Sequence, residues 1–266
     1  MTDQIDQVAH RTPDTESAPS YSEWLTRSGR CRLIGGAVLL MSVICLGLAI
    51  RGAEEISIDL QVLAFFLSER NGGRTTLMHL VTASFDPLIS VIWAVGLGAL
   101  VGYIERSWTR GLVIPLAMAL SAAATAGFKE FIARVRPPEA DRLVVELSHS
   151  FPSGHTTAAA ALFVSSALLL LARWKRLRGL NTGIESRVEV RSAPRTLLVG
   201  VWVTATLLVV LVAVSRLYLA AHWLTDIIGG ALMGSGVALI VFALLVERTP
   251  RIVESNAGSQ HYRLDS

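Results

Sequence analysis

Three short segments hold residues whose types and spacing could do chemistry. The first runs from Lys129 through Glu-Phe-Ile-Ala-Arg-Val to Arg136-Pro137. The second is Phe151-Pro152-Ser153-Gly154-His155. The third is Ser215-Arg216, followed by His222 and Asp226. Lys129, Arg136 and Arg216 are three cations, and a guanidinium can clamp two phosphate oxygens at once. Ser153 and Gly154 stand where a helix is expected to start. There, free N–H groups face anions and glycine lets the backbone approach closely. His222 and Asp226 are spaced i, i+4, on one face of a helix. A carboxylate so placed holds one imidazole nitrogen and leaves the other free to attack. With His155 as a second imidazole, one histidine can be the nucleophile while the other protonates the leaving oxygen. Together these are the parts of a phosphoryl-transfer site.

Each segment alone has a plainer reading. A single His-x-x-x-Asp is usually a helix-surface pair, and Pro-Ser-Gly-His is more often a helix start with serine as its cap. Cations after an apolar run are usually interfacial anchors. His155, His222 and Asp226 could also ligate a metal, but no further His or Cys lies close to them in sequence. The weight therefore rests on the three segments meeting in space.

What must position them is a set of long uncharged runs. Residues Leu33–Ile50, Pro87–Ile104, Gly111–Phe128, Thr156–Ala172, Leu197–Ser215 and Ile227–Val246 carry no charge. A bilayer core of about 30 Å needs roughly 20 helical residues, so these runs predict six transmembrane helices. Backbone polar groups must be satisfied internally in lipid, which makes the spans helical. Pro115 is expected to kink the third. The expected fold is all-α: a six-helix bundle with short interfacial helices between the first two spans. Those short helices fall in Ile56–Phe85. Asp59 is expected to cap one containing Leu60, Leu63, Ala64 and Leu67. Gly72-Gly73 should break it before a second over Thr75–Phe85. The domain layout expected is a disordered cytoplasmic tail over 1–24, a six-span unit over 25–248, and a cytoplasmic tail over 249–266.

Loop cations predict the orientation. With the N-terminus inside, 16 of the 24 Lys and Arg residues fall on inside segments. Seven of them lie in the basic loop Arg173–Arg195. The other 8 lie outside: Arg51, Arg70, Arg74, Lys129, Arg134, Arg136, Arg142 and Arg216. This puts both termini in the cytoplasm and all three chemical segments on the extracytoplasmic face of a multi-pass membrane protein, as in a bacterial inner membrane.

Composition agrees. Apolar residues make up 52% and charged residues 17%, against about 25% charge in ordinary soluble domains. Two cysteines, Cys31 and Cys45, exclude a disulfide scaffold and read as free thiols. A net charge of +3 makes no case for nucleic acid. The cations are 22 Arg and only 2 Lys, yet one of the two lysines is Lys129.

The three segments resemble the signature of the type 2 phosphatidic acid phosphatase (PAP2) superfamily. Its pattern is Lys-x6-Arg-Pro, then Pro-Ser-Gly-His, then Ser-Arg-x5-His-x3-Asp, and all eleven fixed positions match in order. The resemblance implies metal-independent hydrolysis, with no cofactor, through a phosphohistidine. Carried over by position, His222 would be the nucleophile, Asp226 its orienting carboxylate and His155 the general acid. Lys129, Arg136, Ser153, Gly154 and Arg216 would hold the phosphoryl oxygens. Six spans place the chain with the integral-membrane lipid phosphatases, whose substrate would be a lipid phosphate or diphosphate. Polyprenyl diphosphate, phosphatidic acid and phosphatidylglycerol phosphate are the candidates. A phosphotransferase using the same intermediate is the alternative. A lipid transporter fits poorly, because the span centres are uncharged.

Other polar residues have quieter readings. Asp86-Pro87 looks like a helix cap. Glu54, Glu55 and His79 read as loop charge that could line a substrate entrance. Asp141, Arg142, Glu146 and His149 lie on a loop above the expected site and could tune head-group choice. Oligomeric state leaves no trace in the sequence.

Overall fold

The computed structural model describes residues 25–53, 56–180 and 194–247. The expected tails, Glu54, Glu55 and most of the basic loop lie outside the described residues. Nine α-helices occupy the described residues: α1 Arg27–Ile50, α2 Ser57–Ser68, α3 Gly72–Ala83, α4 Pro87–Glu105, α5 Trp108–Gly111, α6 Val113–Ile132, α7 Gly154–Leu180, α8 Arg195–Tyr218 and α9 Leu224–Val246. Six spans are long and apolar enough to cross a membrane: α1, α4, α5–α6 together, α7, α8 and α9. The protein is thus an all-α, multi-pass bundle, as the six runs predict. The helices extend past the uncharged runs because charged residues at the ends reach water while their backbone stays hydrogen-bonded. Arg173 and Lys175 therefore continue α7 instead of opening the basic loop.

The spans alternate in direction, so one end of the bundle gathers the ends of α1, α6 and α8 with the starts of α4, α7 and α9. Helices α7 and α9 form the centre. In their most apolar stretches 67% and 61% of residues are buried, against 11% in α4. Val113, Ile114, Ala117 and Met118 of α6 pack there with Ala159, Ala161 and Leu162 of α7 and Val237, Ala238, Val241 and Phe242 of α9. A smaller cluster of Val43, Ile50, Ile132, Phe151 and Met233 lies beneath the end where the chemical residues gather.

Glycines set the closeness of the central pair. A Cβ on Gly234 would lie 2.2 Å from the Thr157 carbonyl oxygen, and one on Gly230 would lie 2.6 Å from that of Ser153. No side chain fits at either position, so α9 touches α7 backbone to backbone. At the far end, Glu105 is buried among Arg110, Arg173 and Arg176, and Glu247 pairs with Arg32. Part of the positive charge at that end is therefore consumed in pinning helix ends.

Three local expectations need correction, and the Pro115 kink is met. Helix α2 starts after Ile56, and Asp59 is not its cap; the carboxylate is buried against α9. Gly72 and Gly73 open α3, with Asn71 Oδ1 accepting from the Arg74 N–H at 3.0 Å. The third span is interrupted at Leu112, between α5 and α6, within the turn before Pro115, where the kink expected from that proline falls. Proline fits early in α6, where one N–H has no helical partner. Asp86 does hold the cap position of α4, but its side chain makes no capping bond.

Candidate active site

Lys129 sits in the last turn of α6, which ends at Ala133 in the left-handed region with φ 52°. A non-glycine residue there costs roughly 1–2 kcal/mol, and the turn sends Arg134 and Arg136 back over the bundle end. Lys129 Nζ donates to Ser148 Oγ at 3.1 Å and to the His149 carbonyl. Arg136 is buried and pinned by carbonyls. It donates to Ser148 O at 2.7 Å, Ala221 O at 2.6 Å and His149 O at 3.2 Å. Both cations thereby hold the 137–150 loop across the site.

Ser153 is fully buried at the head of α7, and its N–H donates to the Asp226 carbonyl at 3.1 Å. That bond ties the start of α7 to the start of α9. Gly154 and His155 follow in the first turn, where unpaired N–H groups favour an anion. His155 Nε2 lies 3.3 Å from Asp86 Oδ1 across the cleft. Asp86 thus serves the second histidine and not its own helix.

Arg216 ends α8 almost wholly buried. It donates to Thr82 Oγ1 at 2.7 Å and to Glu146, while its Nε is buried without a partner. A turn through Ala220, at φ 50°, then delivers His222. His222 Nδ1 is 3.5 Å from Asp226 Oδ2, and its Nε2 is 3.2 Å from Arg136 Nη1. The carboxylate thus backs one nitrogen while the other looks toward the guanidinium. Asp226 is fully buried, with Oδ2 receiving the Ser150 hydroxyl and the Trp223 N–H at 2.9 Å. Its Oδ1 receives Arg134 at 2.6 Å.

The structure brings all eight sequence candidates to one end of the bundle. Sequence reasoning gave Arg134, Ser150 and Thr82 no part in the site, read Asp59 and Asp86 only as helix caps, and placed Glu146 only among loop residues that could tune head-group choice. None had a signal in its neighbours: their partners lie on other elements. The Glu146 carboxylate bonds Arg216 and lies 3.4 Å from Arg136 Nη2. His79 lines a cavity of about 530 Å³ with Thr76, Asp86, Glu146, His155 and Arg216.

Electrostatics suit an attacking imidazole. Burial, then the charges of Arg136, Arg216 and Lys129, hold His222 well below its ordinary value of 6.5, so it is neutral near pH 7. Burial pushes the Glu146 carboxyl up, but Arg216 and Arg136 outweigh it and hold the group ionised. Burial lowers Arg136, and Glu146 opposes that shift. Among the described residues, no group of three or more His, Cys, Asp or Glu side chains is placed to hold a metal.

These features combine a neutral imidazole backed by a carboxylate, a second imidazole, and guanidiniums with a spare donor for an oxyanion. Comparison with known proteins agrees. The PAP2 superfamily model matches residues 110–250. Phosphatidylglycerophosphatase B of Bacillus subtilis (strain 168) is 34% identical over 172 residues, covering 64% of this chain and 71% of the relative. A crystal structure of a transmembrane PAP2-type phosphatidylglycerolphosphate phosphatase from Bacillus subtilis superposes with TM-score 0.64 and 26% identity. It covers 79% of this chain and 94% of that one. The chain therefore belongs to the PAP2 superfamily, among its integral-membrane phosphatases.

Proposed function

We propose that the protein hydrolyses a lipid phosphate monoester of the phosphatidylglycerophosphate or phosphatidic acid type, at the extracytoplasmic surface, through a phosphohistidine. The observation that carries this reading is His222, backed by Asp226 at 3.5 Å and facing Arg136 at 3.2 Å. The Nε2 lone pair attacks phosphorus. The bond to the lipid oxygen breaks, and His155 protonates that oxygen. His155 then takes a proton from water as it attacks the phosphohistidine. Phosphate leaves, and His222 is regenerated. Arg136, Arg216, Lys129 and the first turn of α7 hold the phosphoryl oxygens, which carry the most charge as bonds change. Asp86 accepts the N–H of the protonated His155 before the first step and again after the second.

The cavity beside His155 supports a monoester. Two carboxylates, Asp86 and Glu146, line it, and Arg216 is its one guanidinium among the described residues. A leaving group that is itself a phosphate would meet those carboxylates, whereas an alcohol would not. The Bacillus subtilis relatives are named for a monoester substrate. Outer placement is supported by the loop-cation bias.

The test uses purified protein in detergent with phosphatidylglycerophosphate, phosphatidic acid and a polyprenyl diphosphate, with chelator present, reading released phosphate. Both monoesters should turn over, and the diphosphate about tenfold more slowly. His222→Ala should lose about 10³-fold or more. Activity retained by His222→Ala, or abolished by chelator, would sink the mechanism. A preference for the diphosphate would reverse the substrate assignment.

A further inference from the structure

Arg134 is absent from the eight candidate site residues, yet it joins two carboxylates in a deeply buried ion network. Its guanidinium is buried between two carboxylates on different elements. Nη1 donates to Asp226 Oδ1 at 2.6 Å, and Nη2 donates to Asp59 Oδ2 at 2.6 Å. Asp59 stands on α2 and is itself fully buried. It accepts the Thr225 N–H at 3.0 Å and the Thr225 hydroxyl at 2.8 Å, and Thr225 Oγ1 also receives Arg134 at 2.5 Å. Asp59 thus caps the first turn of α9, a helix 166 residues away in sequence. The Trp223 ring covers the guanidinium, 5.7 Å from its carbon to the ring centroid.

Burying three charges this way is a poor means of stabilising a fold. Desolvation offsets most of the attraction, and apolar replacements often serve stability as well. What the network does provide is direction. Asp226 Oδ2 is used by Ser150, by the Trp223 N–H and by the approach of His222, while Oδ1 has Arg134 as its ionic partner. Arg134 holds the far side of the carboxylate, so the near side faces the imidazole in one orientation. Asp59 in turn occupies the other arm of the guanidinium, which then cannot swing toward the phosphoryl site.

We propose that Arg134, held by Asp59, is a positioning residue for the His222–Asp226 pair, and that through it α2 sets the aim of the nucleophile. This rests on His222 being the nucleophile. Neither residue touches substrate, so their loss should lower kcat and leave KM nearly unchanged.

Asp59→Asn, Arg134→Lys and Arg134→Met should be purified in detergent, with rates referred to the monodisperse fraction and phosphatidic acid as substrate. A misaimed nucleophile should cost about tenfold in kcat for Asp59→Asn and about 100-fold for Arg134→Met, with KM within about twofold. Arg134→Lys restores one charge contact and should fall between Arg134→Met and the wild type. Four results overturn the proposal: wild-type kcat in both Asp59→Asn and Arg134→Met; loss expressed in KM; folded Arg134→Lys no better than folded Arg134→Met; or none of the three folding, which makes the network a brace for the bundle. If Arg134→Met alone does not fold, the other two decide by their kcat and KM. His222→Ala, run alongside, separates the two claims. If it stays active, the nucleophile reading fails. If it is dead while Asp59→Asn and Arg134→Lys are normal, only the positioning role fails.

Discussion

In the proposed mechanism Glu146 and a phosphoryl group compete for the same two guanidiniums. The carboxylate is ionised and bound to Arg216, with Arg136 at 3.4 Å, while Arg216 Nε has no partner. A substrate dianion must therefore displace Glu146 or share its arginines with it, and like charges at that range repel. Glu146→Gln keeps the shape and removes the repulsion. Its KM for phosphatidic acid should fall by about threefold, read from initial rates in mixed micelles. The same variant tests the imidazole. In the proposed mechanism neutral His222 is the attacking form, and its value lies well below 6.5, so the acid limb of kcat/KM should lie below pH 6.5 once substrate ionisation is corrected for. Glu146 raises His222, so its removal must not move that limb upward. An upward move, or a higher KM, would show that Glu146 helps to bind or protonate the substrate.

At the scale of helices, the site exists because α7 and α9 start side by side. Ser153 and His155 lead one, and His222 and Asp226 lead the other. Their registry is set by Gly230 and Gly234, which leave no room for a side chain. Gly234→Val would drive carbon into the Thr157 carbonyl, and backbone cannot yield as a side chain can. Overpacking of this kind costs about 1–3 kcal/mol or more, so thermal stability should fall and activity should drop at least about tenfold. Gly96 in α4 has nothing within 4 Å of a built Cβ and is the control. Gly96→Ala should keep full activity, with stability unchanged or raised by about 1 kcal/mol. Loss in both variants, or in neither, would remove the registry argument.

At the scale of the whole molecule, the proposed orientation rests on the distribution of loop charge. Val145, 89% exposed, lies on the loop over the site, and Trp108, 85% exposed, lies at the opposite end. In a background with Cys31 and Cys45 replaced by serine, an impermeant maleimide added to intact cells should label Val145→Cys and leave Trp108→Cys unlabelled until lysis. The reverse pattern would put the site in the cytoplasm. The six spans were legible in the sequence because lipid imposes a local rule, about 20 apolar residues per helix. The eight candidate residues were legible because each lies in a short segment whose own spacing states a chemistry. The α2 and α3 helices were legible in outline, with their caps misassigned. Asp59 and Asp86 each had a plausible partner in their own helix, and each bonds instead to another. That choice is invisible in one dimension. Burial makes an unpaired carboxylate costly, and its partner is whichever donor the packed helices bring within reach. Sequence alone determined that the chain is a six-span membrane protein with candidate phosphoryl-transfer residues at helix ends. Only the tertiary structure decided which carboxylate serves which base, because glycine contacts between α7 and α9 and the folding of α2 onto α9 set those distances.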